Sequence, residues 1–466
     1  MKYHIQTLGC QMNFSDSERV SRILENLGYE SVEESSKADL LLFNTCSIRQ
    51  KAEDRVNGQV RNWAQLKKHN DQLIVGLTGC MVRTSSTQKS ANKDYLLHYL
   101  QGLDFVFRIE ELSRLPELLR ETHADHSMNP ASRLFEMDTG TLQNYFNIIP
   151  KYSSRFQAYL PIMTGCDNFC TFCIVPFSRG REKSRTIEEI MKEAQYLVDN
   201  GCVEITLIGQ KVNGYGLSAL DKKTDYFSRF QSRFGGHPFA ALLRELSTLN
   251  GLRRIRFVSS HPDNMTDDLI ETIGKLETLC PYVHLPVQSG DNEVLKRMNR
   301  RYTKERYLEI IEKFRRALPN CRFTTDIIVG FCGETKEQFM NTCRLFEEVR
   351  FDMAYISQYS PRKGTVSYRF MKDDIPRAEK AQRFNDLNGI LRRVSRENNI
   401  ASVGSNMEIL VERCENGICA GRSETFRLVH FPGDSELIGH FVPVTITKAR
   451  DFDLQGEIAF KHKGQR

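Results

Sequence analysis

Between residues 155 and 360 the sequence repeats one beat, a short apolar run followed by a helix-length segment. The runs fall at Gln157 to Met163, Glu204 to Ile208, Arg254 to Val258, Val283 to Val287, Arg322 to Val329 and Met353 to Tyr359. Runs of this length, bounded by turn residues, read as strands. Strands separated by helix-length segments run parallel through right-handed crossovers, because a tight hairpin cannot join them. The predicted fold class is therefore α/β, with a central open or closed barrel of six strand-helix units over residues 151–395. In such folds the chemistry sits at the carboxyl ends of the strands.

The first 120 residues carry the same alternation in shorter form. The runs YHIQTLG, ADLLLFNT and QLIVGLTG each end at a cysteine, namely Cys10, Cys46 and Cys80, and a helical pattern such as Asp16 to Leu27 intervenes. If the three strands are parallel neighbours, the three thiolates project from one edge of the sheet toward a common point. Taken singly, each cysteine reads equally as a buried or a reactive thiol. The polar stretch over residues 121–150 reads as a linker.

After a basic helical segment, Pro376 to Asn399, the pattern turns to short alternating strands. Val442, Val444 and Ile446 alternate with Pro443, Thr445 and Thr447, as in a small β-barrel over residues 400–466. That module holds eight Lys/Arg against nine Asp/Glu, so any polyanion it binds must meet a local face. Basic residues concentrate elsewhere: ten Lys/Arg against five Asp/Glu over residues 361–400, and the blocks Arg179 to Arg185 and Lys296 to Arg306. These suit a polyanionic partner or ordinary solvated helix faces. The N-terminus lacks a signal-peptide pattern and no stretch approaches the length of a membrane span, so a cytoplasmic protein with no membrane partner is expected. In a reducing compartment the thirteen cysteines point away from a disulfide framework and toward metal or redox chemistry.

The loop GCDNFCTFC places Cys166, Cys170 and Cys173 in a C-x3-C-x2-C spacing just after a strand. Three thiolates can hold three irons of a 4Fe-4S cube and leave the fourth without a protein ligand. A structural zinc site would want a fourth Cys or His, which the loop does not offer. Cys202, Cys280, Cys321, Cys332, Cys343, Cys414 and Cys419 form no ligand spacing and read as small buried side chains. His261 and His284 fit a structural or a catalytic role.

With Phe172 beside its last cysteine, this loop resembles the cluster motif of the radical S-adenosylmethionine (SAM) superfamily. The blocks CIVPFSRGREKSR, LIGQKVNGYG, RFVSSHP, HLPVQSGD and TDIIVGFCGET continue the likeness. TLGCQMNFSDSE, NTCSIRQKAED and LTGC resemble the N-terminal cysteine motifs of the methylthiotransferases within it, and GRSETFRLVHF resembles the opening of the TRAM RNA-binding module. The resemblance spans essentially the whole chain. It departs at Met81, Val82 and Arg83, where a Gln is frequent, and at Cys332, where a proline is usual.

The resemblance implies a methylthiotransferase N-terminal domain, a partial (β/α)6 radical SAM barrel and a TRAM-like barrel. It implies two 4Fe-4S clusters, an auxiliary one on Cys10, Cys46 and Cys80 and another on Cys166, Cys170 and Cys173, with SAM as the further cofactor. Phe172, Gln210, Asn213, Ser260, Gln288 and Asp326 become candidates to surround SAM or substrate. GCQMN and NTCSIR resemble the branch that places a methylthio group on C2 of N6-isopentenyladenosine at position 37 of tRNA. The implied partners are the tRNA anticodon stem-loop, an electron donor such as flavodoxin or ferredoxin, and a sulfur or iron-sulfur cluster donor. Arg362, Arg422, Phe426 and Arg427 are the candidate RNA contacts. The rival readings are a threonylcarbamoyladenosine substrate, or a noncatalytic iron-sulfur protein that binds RNA through its terminal barrel.

Overall fold

The computed structural model describes residues 1–46, 50–82, 93–125, 145–230 and 235–459. Its first layer is a parallel sheet of β1 (Lys2–Thr7), β2 (Glu30–Ser31), β3 (Leu40–Thr45), β4 (Ile74–Gly79) and β5 (Phe105–Val106), in the order β2-β1-β3-β4-β5. The strand period of two sorts β3 between two cores. Leu40 and Leu42 pack with Val20, Ile23 and Leu24 of the helix Gln11–Asn26, while Leu41 and Phe43 pack with Val56, Val60 and Trp63 of the helix Gln50–Lys67. A strand covered on both faces is buried throughout, as β3 and β4 are. Of the expected linker, residues 126–144 lie outside the described residues; Leu115–Asp125 is helical and Tyr145–Asn147 a short 3-10 turn.

The second layer contains β6 (Gln157–Pro161), β7 (Met163–Thr164), β8 (Lys183–Ser184), β9 (Glu204–Ile208), β10 (Arg254–Phe257), β11 (Tyr282–His284), β12 (Arg322–Val329) and β13 (Met353–Gln358). The parallel triplets β6-β9-β10 and β11-β12-β13 are linked by a bridge between Ile255 and Leu279, giving the six-stranded partial barrel that the alternation predicts. β11 stops at His284, earlier than expected, since Pro286 has no N–H to donate to a ladder.

The third unit follows the helix Arg377–Ile400 and is a closed barrel of β14 (Asn406–Glu415), β15 (Ile418–Ser423), β16 (Leu428–Pro432), β17 (Phe441–Ala449) and β18 (Asp453–Ile458). Ile409, Val411, Val429, Val444 and Ile446 fill it. Here one expectation is corrected. Cys414 and Cys419 face each other across the β14–β15 ladder and form a disulfide, instead of serving as separate buried thiols. The turn at Asn416 and Gly417, both at positive φ, folds the chain back so that the two cysteines become register partners.

Buried charge joins the first two units. Glu193 of the barrel helix Ile187–Asp199 lies 3.2 Å from Arg19 of the first layer and 2.6 Å from Arg185, and accepts a hydrogen bond from Tyr152 (2.7 Å). Arg179 and Arg185, read in the sequence as part of a basic surface block, are buried. The terminal barrel sits against the other end of the central one. Glu204, Arg254 and Tyr282 are the first residues of β9, β10 and β11, and around them Arg254 donates to Arg422 O (3.0 Å) and Arg256 to Ser423 O (2.8 Å) and Glu424 O (2.7 Å).

Candidate active site

β1, β3 and β4 are parallel neighbours, so residues just past their carboxyl ends share one sheet edge. Cys10, Cys46 and Cys80 occupy that edge: Cys10 caps the helix Gln11–Asn26, and the other two directly follow Thr45 and Gly79. An amide network fixes the turns. Asn13 Nδ2 donates to Asn44 Oδ1 (3.0 Å) and Thr45 O (2.9 Å), Asn44 Nδ2 donates to Asn13 O (2.7 Å), and Cys80 N donates to Thr45 O (2.7 Å). A Cβ added to Gly79 (φ +94°) would stand 2.5 Å from atoms of Asn44 and Thr45, and one on Gly9 would stand 3.1 Å from the Cβ of Cys46. Although Cys10 reaches solvent, its Sγ lies 3.5 Å from Asn13 Oδ1. Desolvation raises its thiol above the ordinary range, Cys80 adds to the rise, and Arg179 opposes it.

The second trio lies on the loop whose base is the antiparallel pairing of β7 with β8. Gly165 (φ +75°) makes the turn into it, at a place where a Cβ would stand 2.1 Å from Arg181 O. Cys166 N donates to Gly180 O (3.2 Å) and Cys173 N to Cys170 O (2.9 Å), while Thr171 is pinned by donating to Met298 O (3.1 Å) and Arg297 O (2.9 Å). Desolvation pushes the Cys166 thiol up to about 11 and Cys173 higher still, and in both the Cys170 sulfur adds to the rise. Neighbouring thiols that resist ionising together are the donor set that a cationic iron centre holds as thiolates. Burial opposes the positive charge of Arg300, but Tyr302 and then each of the three cysteines favours it. Phe172 lines the loop, its ring 6.4 Å edge-on from Phe331 and 5.9 Å from the Arg300 guanidinium. Behind Cys166, the buried carboxylate of Glu182 lies 3.1 Å from Lys211 Nζ.

The remaining candidates fall at or beyond the carboxyl ends of the barrel strands, except Asp326, which lies within β12. Gln210 Oε1 and Ser260 Oγ are buried with no hydrogen-bond partner, a costly state that a bound polar molecule would relieve. Ser259 (φ 65°) and Gln288 (φ 70°) hold left-handed backbone, the kind of strain that collects at binding sites. Gln288 is fixed by its own N donating to Asp326 O (2.8 Å) and by Ile328 N donating to its O (3.0 Å). Asn213 is engaged within the protein, donating to His261 O (2.8 Å) and accepting from His261 N (2.7 Å), so it shapes the turn. His284 is hydrogen-bonded through Nδ1 to Thr324 Oγ1 (2.9 Å), with Nε2 3.5 Å from Asp326 Oδ2.

Among the described residues, no three His, Cys, Asp or Glu side chains converge on a single ion. A cube makes no such demand, because each thiolate binds a different iron. Both trios fit that group: each is all-thiolate and set on turns that only glycine permits.

All four candidate RNA residues are engaged with the rest of the protein: Arg422 Nε lies 3.4 Å from Glu412 Oε1, and its Nη1 donates to Phe426 O (3.4 Å). Phe426 packs 4.8 Å from Tyr282 and under Arg256 (4.9 Å) and Arg422 (4.2 Å); Arg427 donates to Asn399 Oδ1 (3.3 Å) and Asn398 O (3.4 Å). Arg362 is buried. The sequence reading missed Arg179, Arg300 and the Glu182–Lys211 pair. Arg179 and Lys211 lie inside quoted blocks, but nothing local distinguishes a buried arginine from a solvated one.

Residues 160–346 match the Radical SAM superfamily, residues 2–100 the Uncharacterized protein family UPF0004, and residues 401–459 the TRAM domain. The chain is 41% identical over 460 residues to the tRNA-2-methylthio-N(6)-dimethylallyladenosine synthase of Thermoanaerobacter pseudethanolicus, covering 98% of this chain and 92% of that one. It is 40% identical to the protein of that name from Dictyoglomus thermophilum, covering 98% of each. Among solved structures, the radical S-adenosylmethionine methyltransferase of Kitasatospora setae with cobalamin and a [4Fe-4S] cluster shares the fold. The TM-score is 0.51 at 12% identity, over 90% of this chain and 80% of that one. Two cysteine trios at strand ends, three matching domains and relatives aligned end to end leave one conclusion: the chain belongs to the radical SAM methylthiotransferases, in the family of the tRNA-2-methylthio-N(6)-dimethylallyladenosine synthases.

Proposed function

We propose that this chain transfers a methylthio group to C2 of N6-isopentenyladenosine at position 37 of tRNA, using SAM both as methyl donor and as source of a 5'-deoxyadenosyl radical. The observation that carries this reading is the pair of separate three-thiolate sites, each at the carboxyl edge of its own parallel sheet and joined by a buried interface. The carbon to be modified carries an unactivated C–H bond, which acid–base groups cannot replace with sulfur. When bound, the cluster on Cys166, Cys170 and Cys173 supplies the electron that cleaves SAM, and the cluster on Cys10, Cys46 and Cys80 carries the sulfur.

The protein's own residues bind and orient. Gln210 and Ser260 offer their orphaned oxygens to SAM, and Gln288, in the segment after β11, and Asp326, on β12, shape the pocket. Phe172 shields the loop, and Asn213 holds the turn that presents Ser260 and His261. A flavodoxin- or ferredoxin-type protein would reduce the barrel site and a sulfur or cluster donor would replenish the auxiliary one, in the cytoplasm. No helix among the described residues is long and apolar enough to cross a membrane.

Anaerobic reaction of reconstituted protein with SAM, a reductant and tRNA, followed by mass spectrometry of the nucleosides, tests the proposal. Isopentenyladenosine should gain a methylthio group while unmodified adenosine gains much less. Preferential turnover of threonylcarbamoyladenosine would reassign the substrate, and clusters without SAM cleavage would remove the catalytic reading.

A further inference from the structure

Arg179 reaches from the end of the barrel's cysteine loop to Asp16, on the helix that begins at Cys10. It follows the short helix Val175–Ser178 just after Cys173, and its N donates to Val175 O (2.8 Å), which fixes its backbone. Its Nη2 lies 2.5 Å from Asp16 Oδ2, with the two side chains 3% and 0% exposed. Asp16 stands on the helix that Cys10 caps, and its Oδ1 accepts a hydrogen bond from Tyr145 OH (2.6 Å). The same turn lies against Glu110, whose Oε1 would be 3.4 Å from a Cβ on Gly180 and whose carboxylate pairs with Arg108. Of the charges on Arg179, Asp16 acts most strongly and Cys80 next, both against the cost of burial. Arg179 also bears on Cys10.

Three thiolates around a four-iron cube leave a net negative charge, which grows on reduction and again when an anionic sulfur ligand binds the open iron. Dry surroundings make such charge costly unless a fixed cation offsets it. We infer that Arg179 is the positioning residue that supplies this counter-charge, raising the potential of the auxiliary centre and favouring a thiolate or sulfide on its open iron. Asp16 limits the strength of that cation by sharing it. The inference rests on the reading that Cys10, Cys46 and Cys80 hold a cluster, and it adds a role for a residue outside both trios.

The test uses full-length protein with Cys166, Cys170 and Cys173 changed to Ala, reconstituted anaerobically so that only the auxiliary cluster remains. Its potential is read by EPR-monitored redox titration, and the affinity of the open iron by titration with methanethiolate. Arg179→Gln should lower the potential and weaken methanethiolate by the order of tenfold, while Arg179→Lys keeps most of both. Asp16→Asn should act in the opposite sense, raising the potential, because the cation is no longer shared. A purely structural role for the pair would move Arg179→Gln and Asp16→Asn in the same direction, and that result, or no shift in Arg179→Gln at full iron content, overturns the proposal. Should Arg179→Gln fail to hold iron, Asp16→Asn decides: an upward shift supports the inference and no shift overturns it. A parent protein with no cluster at all would remove the underlying cysteine assignment, an outcome distinct from an intact cluster indifferent to Arg179.

Discussion

At the scale of single residues, two glycines set where the thiolates stand. Left-handed backbone alone costs a non-glycine residue about 1 to 2 kcal/mol. At Gly165 and Gly79 an added methyl would also overlap Arg181 O, or Asn44 and Thr45, so the turns must open. Gly165→Ala should therefore lose the barrel cluster and Gly79→Ala the auxiliary one, each removing about half of the protein's iron; iron and sulfide analysis after reconstitution reads this directly. Gln210→Ala and Ser260→Ala, in contrast, should leave both clusters in place. Each should weaken SAM by roughly 0.5 to 1.5 kcal/mol, a rise of a few-fold in the KM for SAM during 5'-deoxyadenosine formation. The cysteines were legible in the sequence because each follows a strand, and a parallel sheet brings its strand ends together. Asn213 illustrates the limit: its position pointed to the pocket, but only the fold shows that both ends of its amide are taken by His261.

At the scale of elements, strand positions followed from hydrophobic period, whereas the surfaces between units did not. Arg19 and Glu193 lie far apart in sequence, and each alone looks like an ordinary solvent-facing helix residue; their pairing exists only once two sheets are packed. The Cys414–Cys419 bridge was hidden for a related reason, since it depends on strand register. Desolvation opposes the Glu193 charge, but Arg19 and then Arg185 override it and hold its carboxyl below the usual range. A carboxyl whose folded pKa is depressed gives stability that is present above its unfolded value and is lost as pH falls through the folded one. Unfolding in urea, followed by pH, should therefore show the interface weakening below the ordinary carboxylate range. Glu193→Gln should flatten that dependence and cost about 3 to 5 kcal/mol at neutral pH, because Arg19 and Arg185 stay buried without their counter-ion. At the other interface, Arg256→Ala removes the donor to Ser423 and Glu424 and the cation over Phe426. It should loosen the terminal barrel and raise the KM for tRNA while SAM cleavage without tRNA persists.

At the scale of the whole molecule, the proposed function gives the two thiolate sites separable duties, and the architecture supplies the means to separate them. The auxiliary cysteines stand on turns of the first sheet, which has its own two apolar cores, while the barrel loop is closed by β7 and β8 and pinned by Arg297 and Met298. Changing Cys10, Cys46 and Cys80 to Ala together should thus leave the barrel loop and its pocket standing. That variant should still cleave SAM reductively to 5'-deoxyadenosine, because the reaction needs only the barrel site and a reductant. It should form no methylthiolated adenosine, since no sulfur carrier remains. The reciprocal replacement of Cys166, Cys170 and Cys173 should abolish 5'-deoxyadenosine. Methyl transfer to the auxiliary sulfur, read as S-adenosylhomocysteine, then depends on whether Gln210 and Ser260 hold SAM without an iron to chelate it. Anaerobic assays that follow 5'-deoxyadenosine, S-adenosylhomocysteine and modified nucleoside in the same samples distinguish these cases. Methylthiolated RNA from the first variant, or loss of its SAM cleavage with the barrel cluster intact, would show that the two sites do not divide the chemistry in this way.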